Sequence, residues 1–186
     1  MTMQIPDRFD YDAFLDWDLL GMQPGPLFDP AAYGLRPQGG FTACERGYVC
    51  RFGVDGERRL KLEELLLLGG AESDDPPPLS GVRAERTRSS GPFHRYANLN
   101  LALEYSGTIW LGRDAAVEAG RSAGGETRLV DYGDLRALTF EHGELKRVEA
   151  YGSLMAEIRS AEGLSSAEQI ELACELTLPR SERLTY

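Results

Sequence analysis

Apolar and polar residues alternate most regularly between Asn98 and Leu111. Leu99, Leu101, Leu103, Tyr105, Ile109 and Leu111 take the odd positions, and Asn98, Asn100, Glu104, Ser106 and Thr108 take even ones. A period of two predicts a strand with one buried and one wet face. The run exceeds the ~5–6 residues of an ordinary strand, so a bulge or bend is expected at Ser106-Gly107. A second alternation opens the chain. Phe9, Tyr11, Ala13, Leu15, Trp17 and Leu19 are apolar, with Asp10, Asp12, Asp16 and Asp18 between them. The period argues for a strand, yet aspartate is depleted in strands. Ala13, Trp17 and Leu20 would also form a helical stripe capped by Asp7. Both readings stay open, and both show acids to solvent.

Further elements follow from turn signals. Phe41 to Phe52, the turn Val54-Asp55-Gly56 and Arg59 to Leu68 read as a β-hairpin. Thr127 to Tyr132, Leu135 to Glu141 and Leu145 to Tyr151 read as strands, with turns at Tyr132-Gly133-Asp134 and Glu141-His142-Gly143. The end is helical in character. Ser153 to Ser160 makes a short helix, and Ser165 with Glu168 a capping box before Ile170, Ala173 and Cys174. Glycine- and proline-rich stretches predict long loops near 22–40 and 69–92. Together these elements predict an α+β fold: an antiparallel, twisted sheet of hairpins with one or two C-terminal helices. The 186 residues suit a single domain over 1–186.

Charge narrows the partners. Thirty acidic residues against 20 basic ones give a formal net charge of −10. Such a surface repels phosphate backbones and anionic lipid, so neither nucleic acid nor membrane is an expected partner, and it draws in basic proteins. The bland reading is solubility. Met1 to Phe9 lacks a basic region followed by an apolar run, so no secretory leader is expected. The longest purely apolar run, Leu65 to Leu68, is far too short to span a bilayer. Three cysteines, an odd number, fit a reducing cytoplasm better than a disulfide framework.

Candidate chemistry is sparse. No phosphate-cradling glycine loop, dinucleotide fingerprint, nucleophile elbow or zinc-binding helix motif is present, and no cofactor, metal or catalytic residue is assigned. His142 falls in a predicted turn, and His94 has no partner in sequence for general-base work. Cys44 and Cys50, six residues apart on a regular strand, would lie ~20 Å apart and serve as small buried hydrophobes. Arg46 would share a strand face with Tyr48 and Phe52. It would be turned out by a bulge at Gly47, paired at a sheet edge, or free to contact an anion or carboxylate. Tyr96, Asn98, Asn100, Glu104 and Trp110 form the aromatic and polar mixture of adaptable protein-binding surfaces, unless a second layer covers Trp110.

Thr42-Ala43-Cys44-Glu45-Arg46-Gly47-Tyr48-Val49, with Leu60 and Leu62 after it, resembles a Thr-Ala-Cys-x-Arg-Gly-Tyr strand of small bacterial β-rich proteins. Those proteins also carry a step similar to Tyr105-Ser106-Gly107-Thr108-Ile109. The likeness covers roughly residues 36–114. They look like the acidic immunity proteins encoded beside secreted bacterial toxins. The resemblance implies a protein that binds and sterically blocks a cognate, basic toxin, and it carries over no catalytic residue. Asp10, Asp12, Asp16, Asp18, Asp74 and Asp75 would steer the partner, and Tyr96 or Trp110 would anchor it. Two other classes remain: a small enzyme whose Arg, His and carboxylate groups meet only on folding, and a ligand-binding regulatory module.

Overall fold

The computed structural model describes residues 5–39, 42–69, 75–87, 93–115, 132–161 and 168. The opening alternation is a hairpin, β1 (Arg8–Tyr11) and β2 (Phe14–Gln23). The two residues between them, Asp12 and Ala13, both take positive φ, 54° and 59°. That is the backbone of a type I′ turn, whose twist matches paired strands. Burial of Phe9 and Trp17 on one face outweighs the weak strand preference of the aspartates. The capped-helix alternative is thereby excluded.

A second hairpin joins β3 (Tyr48–Val54) to β4 (Leu60–Leu68). The Asp55 carboxylate shapes its turn by accepting from the Glu57 and Arg59 amides, both at 2.9 Å. Among the described residues the chain also forms a 3-10 turn at Pro30–Tyr33, the strands β5 (Glu85–Thr87), β6 (Phe93–Tyr96), β7 (Leu101–Ala102), β8 (Gly107–Ala115), β9 (Tyr132–Glu141) and β10 (Glu144–Ala150), and the helix α1 (Gly152–Ser160). Among the described residues one sheet holds ten strands, in the order β10-β9-β8-β2-β1-β3-β4-β6-β5, with β7 also on β4. Every pairing is antiparallel except β1 with β3, which is parallel. The sheet is therefore mixed. Because β2 runs back to the end from which β1 started, the connection through residues 24–47 has only to carry the chain past β1 to begin β3 at that same end.

The sheet curls until β4 meets β10. Arg59 bridges Glu144, the Leu60 amide donates to the Gly143 carbonyl, and the Leu145 amide donates to the Arg58 carbonyl, both at 2.8 Å. Residues 99–105 run along this junction. Leu103 N–H donates to Leu60, and Gly143 N–H donates to Tyr105. Phe9, Trp17, Phe52, Leu62, Ile109, Leu111, Leu138 and Phe140 fill the enclosed core. On the other side of the sheet, α1 lays Met155 and Ile158 on Leu135. No helix among the described residues is long and apolar enough to cross a membrane.

Several sequence expectations shift. The long alternating run divides at Gly107. Before it, Leu99, Leu103 and Tyr105 are buried and Asn98, Asn100, Glu104 and Ser106 exposed, as the pattern requires. Beyond it, β8 pairs with β2 and β9 instead of β4. The strand expected from Phe41 begins only at Tyr48, because residues 42–47 turn and Gly47 takes a φ of 78°. Tyr132-Gly133-Asp134 is no turn but part of β9, paired with β8. The helix at Ser153 to Ser160 is present. The strand from Thr127 lies outside the described residues up to Tyr132. So does the capping-box helix, apart from Glu168, which is helical and exposed.

Candidate interaction surface

The four hairpin aspartates all meet arginines. Asp18 pairs with Arg8. Asp10 accepts from Arg51 Nη1 at 3.0 Å, and Asp16 accepts from Arg51 Nη2 at 2.6 Å. Asp12 accepts from Arg136 at 3.2 Å. Sheet register explains the pairings. Arg8 stands opposite Asp18 across β2 and beside Arg51 across β3, and Arg51 stands opposite Glu64 of β4. Arg95 of β6 then bonds Glu64 through Nε at 2.9 Å. A row of charge thus crosses β2, β1, β3, β4 and β6 on the outer face.

Where the β1–β2 turn meets β8 and β9, a second chain of charge forms. Arg136 joins Asp12 to Asp134, and Arg113 joins Asp134 to Asp114, at 3.2–3.3 Å. Both guanidinium groups lie over Trp17, at 4.8 and 5.2 Å from its ring. Arg136 also lies 5.7 Å from the Tyr11 ring. Trp17 is fully buried and donates its indole N–H to the Tyr11 carbonyl at 3.2 Å. Stacking of this kind fixes a guanidinium plane and leaves its edges for carboxylates. Asp12, Asp16 and Asp114 nonetheless keep 61%, 58% and 71% of their side-chain surface exposed. These carboxylates are held in place from behind and open in front.

The other sequence candidates scatter. Tyr96 is fully buried, and its hydroxyl donates to the Pro77 carbonyl at 2.8 Å. Trp110 is 3% exposed and shares by register the side of Ala137 and Leu135, where α1 packs. Neither aromatic stands at the surface, which corrects their reading as exposed anchors. Burial pushes the Tyr96 phenol up to about 12. In an alkaline ultraviolet titration a late step near 12 is expected from Tyr96, and Tyr96→Phe should remove it. Asn98, Asn100 and Glu104 are exposed along the β4–β10 junction, the two asparagines with φ of 54° and 47°. Asp75 is exposed, and Asp74 lies outside the described residues.

Arg46 is turned outward by the Gly47 turn, and its fork grips Asp7. Its Nε donates to the Tyr48 carbonyl at 2.8 Å, and it stacks 4.8 Å from the Tyr48 ring. Asp7, 7% exposed, also accepts from the Cys50 amide at 2.6 Å. Thus the carboxylate contact expected of Arg46 is made within its own chain. The adjacent cleft, lined by Met22, Leu27, Phe28 and Phe52 among others, has a volume of about 20 Å³, room for one water. Burial, and then Asp7, push the Cys50 thiol well up, which makes it a poor nucleophile. Cys44, outside the strand, donates its thiol to the Tyr48 carbonyl.

The chain matches no family model, no curated protein and no solved structure. The site therefore stands on its geometry alone. Among the described residues, no group of three or more His, Cys, Asp or Glu side chains is arranged to hold a metal. His142 is exposed in its turn, and His94 is buried. The partners that organise the surface, Arg8, Arg51, Arg113, Arg136 and Asp134, carry no motif. Only strand register brings them to the aspartates.

Proposed function

We propose that this protein works by binding another protein, as an immunity-type inhibitor that occludes a basic bacterial toxin. What supports the reading is the pairing of exposure with fixation at Asp12, Asp16 and Asp114. An exposed carboxylate on a free rotor loses entropy when it binds. One already held by an arginine gives up much less, so more of its attraction for a partner's cation survives as affinity. Acidic groups at the rim also speed encounter with a basic surface. The charge chains contain Asp10, Asp12, Asp16, Asp18, Asp114 and Asp134 against Arg8, Arg51, Arg113 and Arg136, so acid remains in excess. The water-sized cleft at Arg46 gives no comparable support to an enzyme or a small-molecule module.

The test is co-expression with the toxin encoded beside this gene, with a purification tag on one partner. The reading expects the two proteins to purify together and the cells to survive. Absence of a stable complex, together with cell death, would contradict it.

A further inference from the structure

The sheet ends in β5 on one side and β10 on the other. Residues 58–60 cover only the start of β10, through the Leu145 amide on Arg58 and the Leu60 amide on Gly143. Beyond Leu145, no backbone bond reaches the outer edge of β10 among the described residues. Alternate residues of a strand aim their backbone groups to the same side. Tyr151 donates its N–H to Leu135, on the β9 side, at 2.7 Å. Counting back in twos, Glu149 and Arg147 also turn towards β9, while Val148 and Ala150 present N–H and C=O outward.

Such an edge is a template for another strand, and the side chains around Val148 match a second copy of β10. Val148 faces inward, paired with Leu138 and packed on the core. Arg147 and Glu149 stand on the outer face, where Arg147 Nη2 donates to Glu149 Oε1 at 2.8 Å. Two antiparallel copies of one strand are related by a two-fold axis, which sets the residue before the axis opposite the residue after it in the other copy. With the axis at Val148, Arg147 of each copy meets Glu149 of the other, and the two Val148 residues exchange backbone bonds. An axis one residue to either side would set Arg147 on Arg147 or Glu149 on Glu149. β5 offers no such match, because it has three residues and an axis at Glu85 or Arg86 sets like charge on like.

We propose that β10 is a dimer edge: two copies of this chain pair antiparallel through residues 146–150, about an axis at Val148, and one sheet continues into the next. Each in-strand Arg147–Glu149 pair gains a cross-strand partner of opposite charge. Residues 146–150 are few against the ~20–30 residues a side of a standard interface, so the dimer is weak and forms at high concentration. It needs no toxin, so its failure leaves the immunity reading untouched.

Sedimentation equilibrium of the full chain should show the mass rising with concentration from 20.6 kDa towards twice that value. Arg147→Glu alone and Glu149→Arg alone should each stay at the single-chain mass, because each sets like charge opposite like. Mixed in equal amounts, the two variants should regain the dimer, since one is acidic at both positions and the other basic at both. A wild type that stays monomeric at every concentration would overturn the proposal. So would single variants that dimerise as well as the wild type, or a mixture that stays monomeric where the wild type does not. Should a variant not fold, the Val148 amide of the wild type decides. Its hydrogen exchange slows as protein concentration rises if the edge pairs, and ignores concentration if it does not.

Discussion

Asp7→Ala is expected to cost about 2–4 kcal/mol, because it strands a guanidinium and a buried amide together. In the native protein the Asp7 carboxylate accepts both arms of the Arg46 fork and the Cys50 N–H. It joins the segment before β1 to the start of β3, from residue 7 to residues 46–50. The truncation removes the carboxylate that accepts all three bonds and leaves the Cys50 amide buried. Arg46, 39% exposed, recovers part of its hydration, which keeps the figure below that of a fully buried pair. For a chain of this length the loss lowers the melting temperature by about 5–15 °C. Arg46→Ala should cost a comparable amount, and the double variant less than the sum of the two, since one interaction is counted twice. Additive effects, read by thermal unfolding of the four proteins, would show that the pair is not a unit.

Gly143→Ala should be at least as damaging, at about 3 kcal/mol or more, with the damage at the closure between β4 and β10. Gly143 has a φ of 75°, where an alanine is strained by about 1–2 kcal/mol. Its Cβ would also come inside 3.0 Å of the Leu103 carbonyl oxygen. That backbone cannot yield without loosening the Leu103–Leu60 and Gly143–Tyr105 hydrogen bonds, so the strain spreads along the junction. Gly56→Ala is the matched control, a hairpin-turn glycine with nothing within 4 Å of the added methyl group, and it should stay within about 0.5 kcal/mol of the wild type. Hydrogen exchange should show faster opening of Leu60, Leu103 and Leu145 in Gly143→Ala alone. Protection unchanged at those amides would mean that the closure does not hold the sheet together.

What could be read in the residues was local. The alternation of burial around Leu99, Leu103 and Tyr105 survives even though only Leu101–Ala102 of that stretch is strand and the run divides at Gly107. The Glu141-His142-Gly143 turn and the helix at residues 152–160 are local in the same sense. What escaped was set by partners distant along the chain. Asp12 meets Arg136, 124 residues away, and Asp10 meets Arg51, 41 residues away. No spacing in one sequence reveals that the hairpin acids are countered by arginines. Gly133 imitated a turn glycine, yet its place in β9 reflects the Asp114 carbonyl, which lies 3.1 Å from where its Cβ would stand. Trp110 occupied a formally wet position, yet it is buried on the side of β9 that carries Leu135, where α1 packs.

The proposed binding is tested most directly by the association rate of the product of the adjacent gene, the candidate toxin, with the wild type and with Asp12→Asn/Asp16→Asn, measured at low and at moderate salt. Both side chains are exposed, so the variant should fold as the wild type does. The account predicts that the wild type associates fast and slows steeply with salt, and that the variant is slower and less sensitive to salt. Equal rates and equal salt dependence for the two proteins would contradict it.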